Sequence, residues 1–291
     1  MRIEPRNAAM GATIHDLDLS QQLDEKTYRA VEHALGTYGV ICFPKQTLTI
    51  PQQRDFAEKF GKLEINVANT SQDAEFPEVM ILSNIVENGK PLGLNDAGQD
   101  WHTDMSYSKT IAFSNILYGM QIPHRDGEPL GNTEFCNMHA AYEDLPAALK
   151  DELDGMTITH DFNKFWEKMR SQSGSRRPPL TEEQRRRKPP VSHPVFLVHP
   201  ITGRKVLYAN PGYSVRINEL SAGRSDEVLA FLFEHQLQPK YRYQHRWNVG
   251  DVLMWDNIGT IHNAVADYGP DEPRYIRRCQ VMANKYYPEL Y

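Results

Sequence analysis

The feature that most limits how this chain can fold is a succession of short apolar runs, too brief for helices and each closed by proline, glycine or polar residues. Val79–Leu82, Ile116–Pro123, Thr133–Cys136, Val195–Val198, Lys205–Tyr208 and Val252–Trp255 all read as strands, and Gly39–Pro44 is another, ended by its proline. Pro200–Gly203, between two of these runs, is a turn signal for a hairpin. Helical spacing of apolar residues is confined to Lys26–Thr37, Pro51–Phe60, His139–Leu153 and Ser225–Gln236. Many short strands with a few helices outside them predict a mostly β fold, a sandwich or jelly roll with flanking helices.

Composition excludes several function classes. Apolar residues make up 40% and charged residues 24%, enough for a packed core over 291 residues. A net charge of −6 lacks the basic excess of a phosphate-binding footprint, so nucleic acid is not the expected partner. No apolar run reaches the length of a membrane span and MRIEPRNAAM carries no signal-peptide core, which predicts a cytoplasmic protein with no membrane partner. Cys42, Cys136 and Cys279 are widely spaced and odd in number, and read as buried thiols. The expected organisation is one domain over 1–291, forming a homo-oligomer (dimer or tetramer), with a polar insertion or lid around 163–191. Within that insertion the basic stretch Ser171–Pro190 is either a solvated excursion or a lid or oligomer contact whose arginines attract an anion.

Chemistry concentrates at Trp101-His102-Thr103-Asp104 and at the distant His262. Residues two apart on an extended segment share a side, so His102 and Asp104 can face one metal while Thr103 points away. His262 would complete a face of two histidines and one carboxylate, leaving the opposite side open, as in iron(II) oxygenases; the same donors also suit zinc. The other nine histidines, His160, His193 and His199 among them, read as structural. In Pro273–Met282, Arg274 and Arg278 share strand parity and lie about 13 Å apart on one side, with Arg277 on the other. Two inward guanidiniums are costly unless each meets an anion, and the arginine fork suits a carboxylate.

Several ordered motifs extend the pattern: Gly39–Phe43, Phe60-Gly-Lys-Leu-Glu64, Gly131–Met138, His160-Asp-Phe162, Asn210-Pro-Gly-Tyr213, Arg246–Asp251 and Trp255-Asp-Asn257. With the His262, Arg274 and Arg278 tail, the chain resembles the taurine dioxygenase and 2,4-dichlorophenoxyacetate dioxygenase (TauD/TfdA) family over nearly its whole length. The resemblance implies a double-stranded β-helix of jelly-roll, cupin-like type. It implies iron(II) on His102, Asp104 and His262, and 2-oxoglutarate and O2 as cosubstrates, with the far carboxylate of 2-oxoglutarate on Thr133 and Arg274. It also implies hydroxylation of a small anionic substrate, carboxylate or sulfonate, held by Arg278, with succinate and CO2 released; cleavage of a C–O, C–N or C–S bond can follow. Asn66, Asn69, Phe162 and Tyr213 fall at the family's substrate-pocket positions. The alternative from a different class is a zinc-dependent hydrolase using the same three ligands, although no HExxH motif is present.

Overall fold

A computed structural model describes residues 1–7, 9–65, 71–95, 98–171 and 178–288. Its spine is the strand Ala112–Gln121, buried from Ala112 to Gly119 because it is central and covered on both faces. It pairs antiparallel with Val252–Asp256 on one side and Tyr275–Met282 on the other. The sheet continues through Val40–Phe43, Ala12–His15 and Arg2–Pro5 at one end and Met80–Ser83 at the other, seven strands in all. Among the paired strands of this sheet, Ala12–His15 and Val40–Phe43 run parallel and the rest antiparallel. A second sheet of Arg242–His245, Thr133–Asn137 and Thr260–Ala264 lies opposite.

Strand alternation sorts the core into two layers. Val40, Cys42, Leu117, Leu253, Trp255 and Ile276 pack with Phe135 and Trp247 between the sheets. Their neighbours Ile41, Phe43, Ile116, Tyr118, Val252 and Met254 join an outer layer with Tyr28, Val31 and Leu35 of α1 (Glu25–Tyr38) and Phe56 of α2 (Ile50–Glu58). Both helices start on good caps: the Asp24 side chain accepts from Thr27 N–H, and Thr49 and Gln52 form a capping box. Gly39 stops α1 at φ 70°, a conformation that favours glycine, so the chain can enter the next strand at once. The result is the expected jelly-roll arrangement, with helices outside the larger sheet and an interior open at one end.

Two elements differ from the sequence reading for a clear physical reason. The helix expected over His139–Leu153 is two, α3 (Met138–Glu143) and α4 (Ala147–Leu153), because Pro146 has no N–H to continue the first and instead caps the second. The strand expected over Ile116–Pro123 runs from Ala112 to Gln121, since pairing with Trp255, Asp256 and Met282 extends its start. The hairpin around Pro200–Gly203 is present, joining Phe196–Val198 to Lys205–Leu207. The three cysteines are buried and free. Helix α5 (Phe162–Ser171) and α6 (Glu182–Arg187) stand on either side of residues 172–177, which lie outside the described residues. Helix α7 (Ala222–Gln236) is the longest, and among the described residues no helix is long and apolar enough to cross a membrane.

Candidate active site

The strand Thr260–Ala264 places His262 opposite Phe135 at the mouth of the interior. His102 then bridges His262 through reciprocal backbone hydrogen bonds, His102 N–H to His262 O at 3.0 Å and His262 N–H to His102 O at 2.9 Å. Their rings come within 4.2 Å, centre to centre. After Thr103 the chain turns, and Asn257, just beyond the strand Val252–Asp256, clamps the Asp104 backbone. Its Oδ1 accepts from Asp104 N–H at 3.2 Å and its Nδ2 donates to Asp104 O at 2.8 Å. Asp104 Oδ1 ends 3.3 Å from His102 Nε2, and Oδ2 ends 3.8 Å from His262 Nε2.

These three groups suit a divalent metal. His102 Nδ1 donates to Asp100 O at 2.8 Å, so the Nε2 lone pair faces the centre. Burial, with His102 alongside, pushes His262 down to about 3 and keeps it neutral, as a ligand must be. Burial raises the Asp104 carboxyl, but close contact with His102 and the Arg278 charge outweigh it and hold the group well below the usual carboxylate range.

The even-numbered face of Tyr275–Met282 supplies the surroundings. Arg278 Nη1 donates to Asp104 Oδ2 at 3.4 Å, and Gln280 Nε2 donates to the same oxygen at 3.1 Å and to Asn115 Oδ1 at 2.9 Å. Arg277, of opposite parity, turns into the outer layer and donates to Leu48 O. Arg274 is 7% exposed and donates to Gly131 O at 3.0 Å, with Tyr268 beneath its guanidinium. No carboxylate among the described residues lies within ion-pair distance of it, and burial lowers its pKa. Gly131 sits at φ 68°, and a Cβ there would meet Arg274 Nε at 2.5 Å, so glycine is what lets the guanidinium pass. Thr133 Oγ1 accepts from Trp247 Nε1–H at 3.1 Å, leaving its own O–H to donate elsewhere.

One cleft gathers His102, Asp104, His262, Thr133, Arg274 and Arg278, walled by Leu82, Leu117, Trp255 and Val265. Phe162 and Tyr213 do not line it. They form an aromatic wall with Tyr107 and Phe165 beside His102, whose ring lies 5.3 Å from Phe165 and 6.1 Å from Tyr213. Asn66 and Asn69 lie outside the described residues.

Sequence reading missed Gln280, Tyr107 and Lys188. Gln280 shares parity with Arg274 and Arg278, and Tyr107 follows Asp104 by three residues; both signals were available. Lys188 carried none, since it sits in a basic run.

Among the described residues two other buried sets of potential ligands are weaker. In the set His139, His199 and Asp256, His199 Nδ1 accepts backbone N–H from Ile201 and Thr202, so Nε2, 2.9 Å from Asp256, bears the proton and has no lone pair to offer. In the set Cys42, His245 and Asp251, burial and the Asp251 charge push the Cys42 thiol up, away from the thiolate a metal needs.

The family described as "Taurine catabolism dioxygenase TauD, TfdA family" matches residues 2–280. The chain is 32% identical over 288 residues to the alpha-ketoglutarate-dependent 2,4-dichlorophenoxyacetate dioxygenase of Cupriavidus pinatubonensis, covering 96% of each. It is 31% identical to the alpha-ketoglutarate-dependent sulfate ester dioxygenase of Pseudomonas putida, covering 95% of this chain and 87% of that protein. Among solved structures it superposes on AAD-2 in complex with Mn(II) and N-oxalylglycine with a TM-score of 0.80 at 28% identity, covering 97% and 98% of the two chains.

Proposed function

This chain belongs to the TauD, TfdA family, and on that basis we propose that His102, Asp104 and His262 hold iron(II), Thr133 and Arg274 bind the far carboxylate of 2-oxoglutarate, and Arg278 receives the anion of the substrate. The protein is a non-haem, 2-oxoglutarate-dependent dioxygenase acting on a small anionic substrate. A zinc-dependent hydrolase is not supported. Iron(II), when bound, supplies the centre at which O2 is activated for hydroxylation while 2-oxoglutarate is converted to succinate and CO2.

The chain's own contribution is positioning and charge. Gln280 and Arg278 both hydrogen-bond Asp104 Oδ2, which fixes the carboxylate and leaves Oδ1 beside His102 for the metal. The Asp100 carbonyl fixes the His102 tautomer. Trp255 packs 4.8 Å from the His262 ring and, with Leu82 and Leu117, gives the cleft an apolar wall. Arg274 has no anion of its own, and the Thr133 hydroxyl beside it is free to donate; together they suit a carboxylate. Arg278 leans on Asp104 while its other nitrogen touches Met80 Sδ, so a substrate anion would meet a guanidinium already held beside the proposed metal ligands.

The observation that carries this reading is the buried, carboxylate-free guanidinium of Arg274 in the same cleft as the three ligands. The test is aerobic incubation with iron(II), 2-oxoglutarate and a panel of carboxylates, sulfonates, sulfate esters and their neutral analogues, scoring succinate and hydroxylated product separately. Substrate-stimulated succinate release limited to the anions is expected. Equal turnover of neutral analogues would remove Arg278 from its assigned role.

A further inference from the structure

The arginines described in the basic insertion face solvent. Arg185, Arg186 and Arg187 are exposed, and Arg187 is taken up by Glu183 within α6. Lys188, the next residue and the C-cap of α6, turns inward. Its Nζ lies 4.5 Å from the centre of the Phe162 ring and 4.9 Å from that of Tyr107. Those rings are 4.8 Å apart, Tyr107 is 4.7 Å from Tyr213, and Tyr213 is 6.1 Å from the His102 ring. An aromatic wall thus runs without a break from a metal ligand to a lysine ammonium.

That ammonium is short of partners. Among the described residues no acceptor takes its hydrogens and no carboxylate comes within ion-pair distance; Glu64 influences it only from further away. A lysine at a helix C-terminus ordinarily reaches into water, where its charge is solvated and still favours the helix dipole. Here it is drawn out of water against two ring faces, and burial lowers its pKa. A cation so placed gains from an anion brought to it. Glu64 lines a small hollow together with Arg278, Met80 and Gln280, and its carboxyl feels the charges of both Lys188 and Arg278.

Resting on the dioxygenase reading above, we propose that Lys188 is a second anion-recognising residue of the substrate pocket. The substrate then carries two anionic groups, one on Arg278 beside the metal and one on Lys188, with an apolar stretch between them against Tyr107 and Phe162. This explains why an acidic protein keeps a cation in its pocket wall, and it places specificity on the insertion rather than on the sheet.

The test uses full-length protein loaded anaerobically with Mn(II) and 2-oxoglutarate, titrated calorimetrically with matched monoanions and dianions: hexanoate and hexanedioate, octanoate and octanedioate, phenoxyacetate and 4-carboxyphenoxyacetate. At least one dianion is expected to bind about tenfold more tightly than its partner, the low end for a charge-assisted hydrogen bond. The preference should vanish in Lys188→Met, which keeps the stem, and in Lys188→Gln, and persist in Lys188→Arg. If no dianion is preferred by the unaltered protein, or if the preference survives in Lys188→Met, the proposal is wrong and the lysine only fastens the insertion to the rings. Failure of the underlying reading has its own signature, absence of 2-oxoglutarate binding before any substrate is added, and would overturn the proposal with it.

Discussion

Replacing Arg274 by Met should have opposite effects on stability and on cosubstrate binding. The guanidinium is buried, has no carboxylate within ion-pair distance among the described residues, and is held by Gly131 O and by Tyr268. Without ligand it is an uncompensated charge, and exchanging such a group for an apolar side chain of similar length is neutral or stabilising by about 1–4 kcal/mol. The stranded Gly131 carbonyl costs back about 1–3 kcal/mol. The ligand-free variant should therefore melt within a few degrees of the unaltered protein. With 2-oxoglutarate the balance reverses, because losing a buried charge-assisted contact costs about 2–5 kcal/mol, roughly thirtyfold to several-thousandfold in affinity. At a 2-oxoglutarate concentration of about 100 Kd the unaltered protein gains about 2.7 kcal/mol, on the order of 5 °C. At that same concentration Arg274→Met should gain under about 1 kcal/mol. Scanning fluorimetry of Mn(II)-loaded protein with and without 2-oxoglutarate, paired with the KM from succinate release, reads both effects. An undiminished 2-oxoglutarate shift in the variant would refute the assignment, and a collapse of the ligand-free melting temperature would show that Arg274 is structural.

Asp104→Ala should stay folded by circular dichroism yet lose substrate-dependent succinate formation, because it removes the carboxylate of the proposed metal face; retained turnover would exclude Asp104 as a ligand. Gln280→Leu should weaken Mn(II) binding by roughly 10- to 100-fold, the usual effect of deleting a group that orients a metal ligand, and an unchanged metal titration would reduce Gln280 to packing. Stability should fall with acid. Burial pushes His139 down to about 4 and His160 well below its usual range, so both stay neutral in the fold while the unfolded chain protonates near pH 6.5. The stability they contribute is complete above about pH 6.5 and is lost as the pH falls toward 4, at up to about 1.4 kcal/mol per pH unit for each. Urea midpoints at pH 7, 6 and 5 should show the slope, and His139→Gln should flatten it.

Local periodicity made much of this protein legible in its sequence. Strand parity put Arg274 and Arg278 on the inner face and Arg277 on the outer one, and alternation in Val40–Phe43 and Val252–Asp256 divides their side chains between the two core layers. The same rule, applied to Gln280, would have found the group that holds Asp104. Pro146 was also there to be read as the break between α3 and α4. What no local rule supplies is the meeting of distant segments. His102 reaches His262 only because the Thr260–Ala264 strand is pinned by Thr133–Asn137 and bridges the loop before Asp104. Asp104 is fixed at the candidate metal site only when Asn257, Arg278 and Gln280, all more than 150 residues away, close on its backbone and carboxylate. Lys188 belongs to a run whose sequence predicts solvent, and packing alone lays it over Tyr107 and Phe162. Parity and propensity act between neighbours in the chain, whereas a binding site is set by pairing and burial between strangers, so the tertiary structure decided which charges meet.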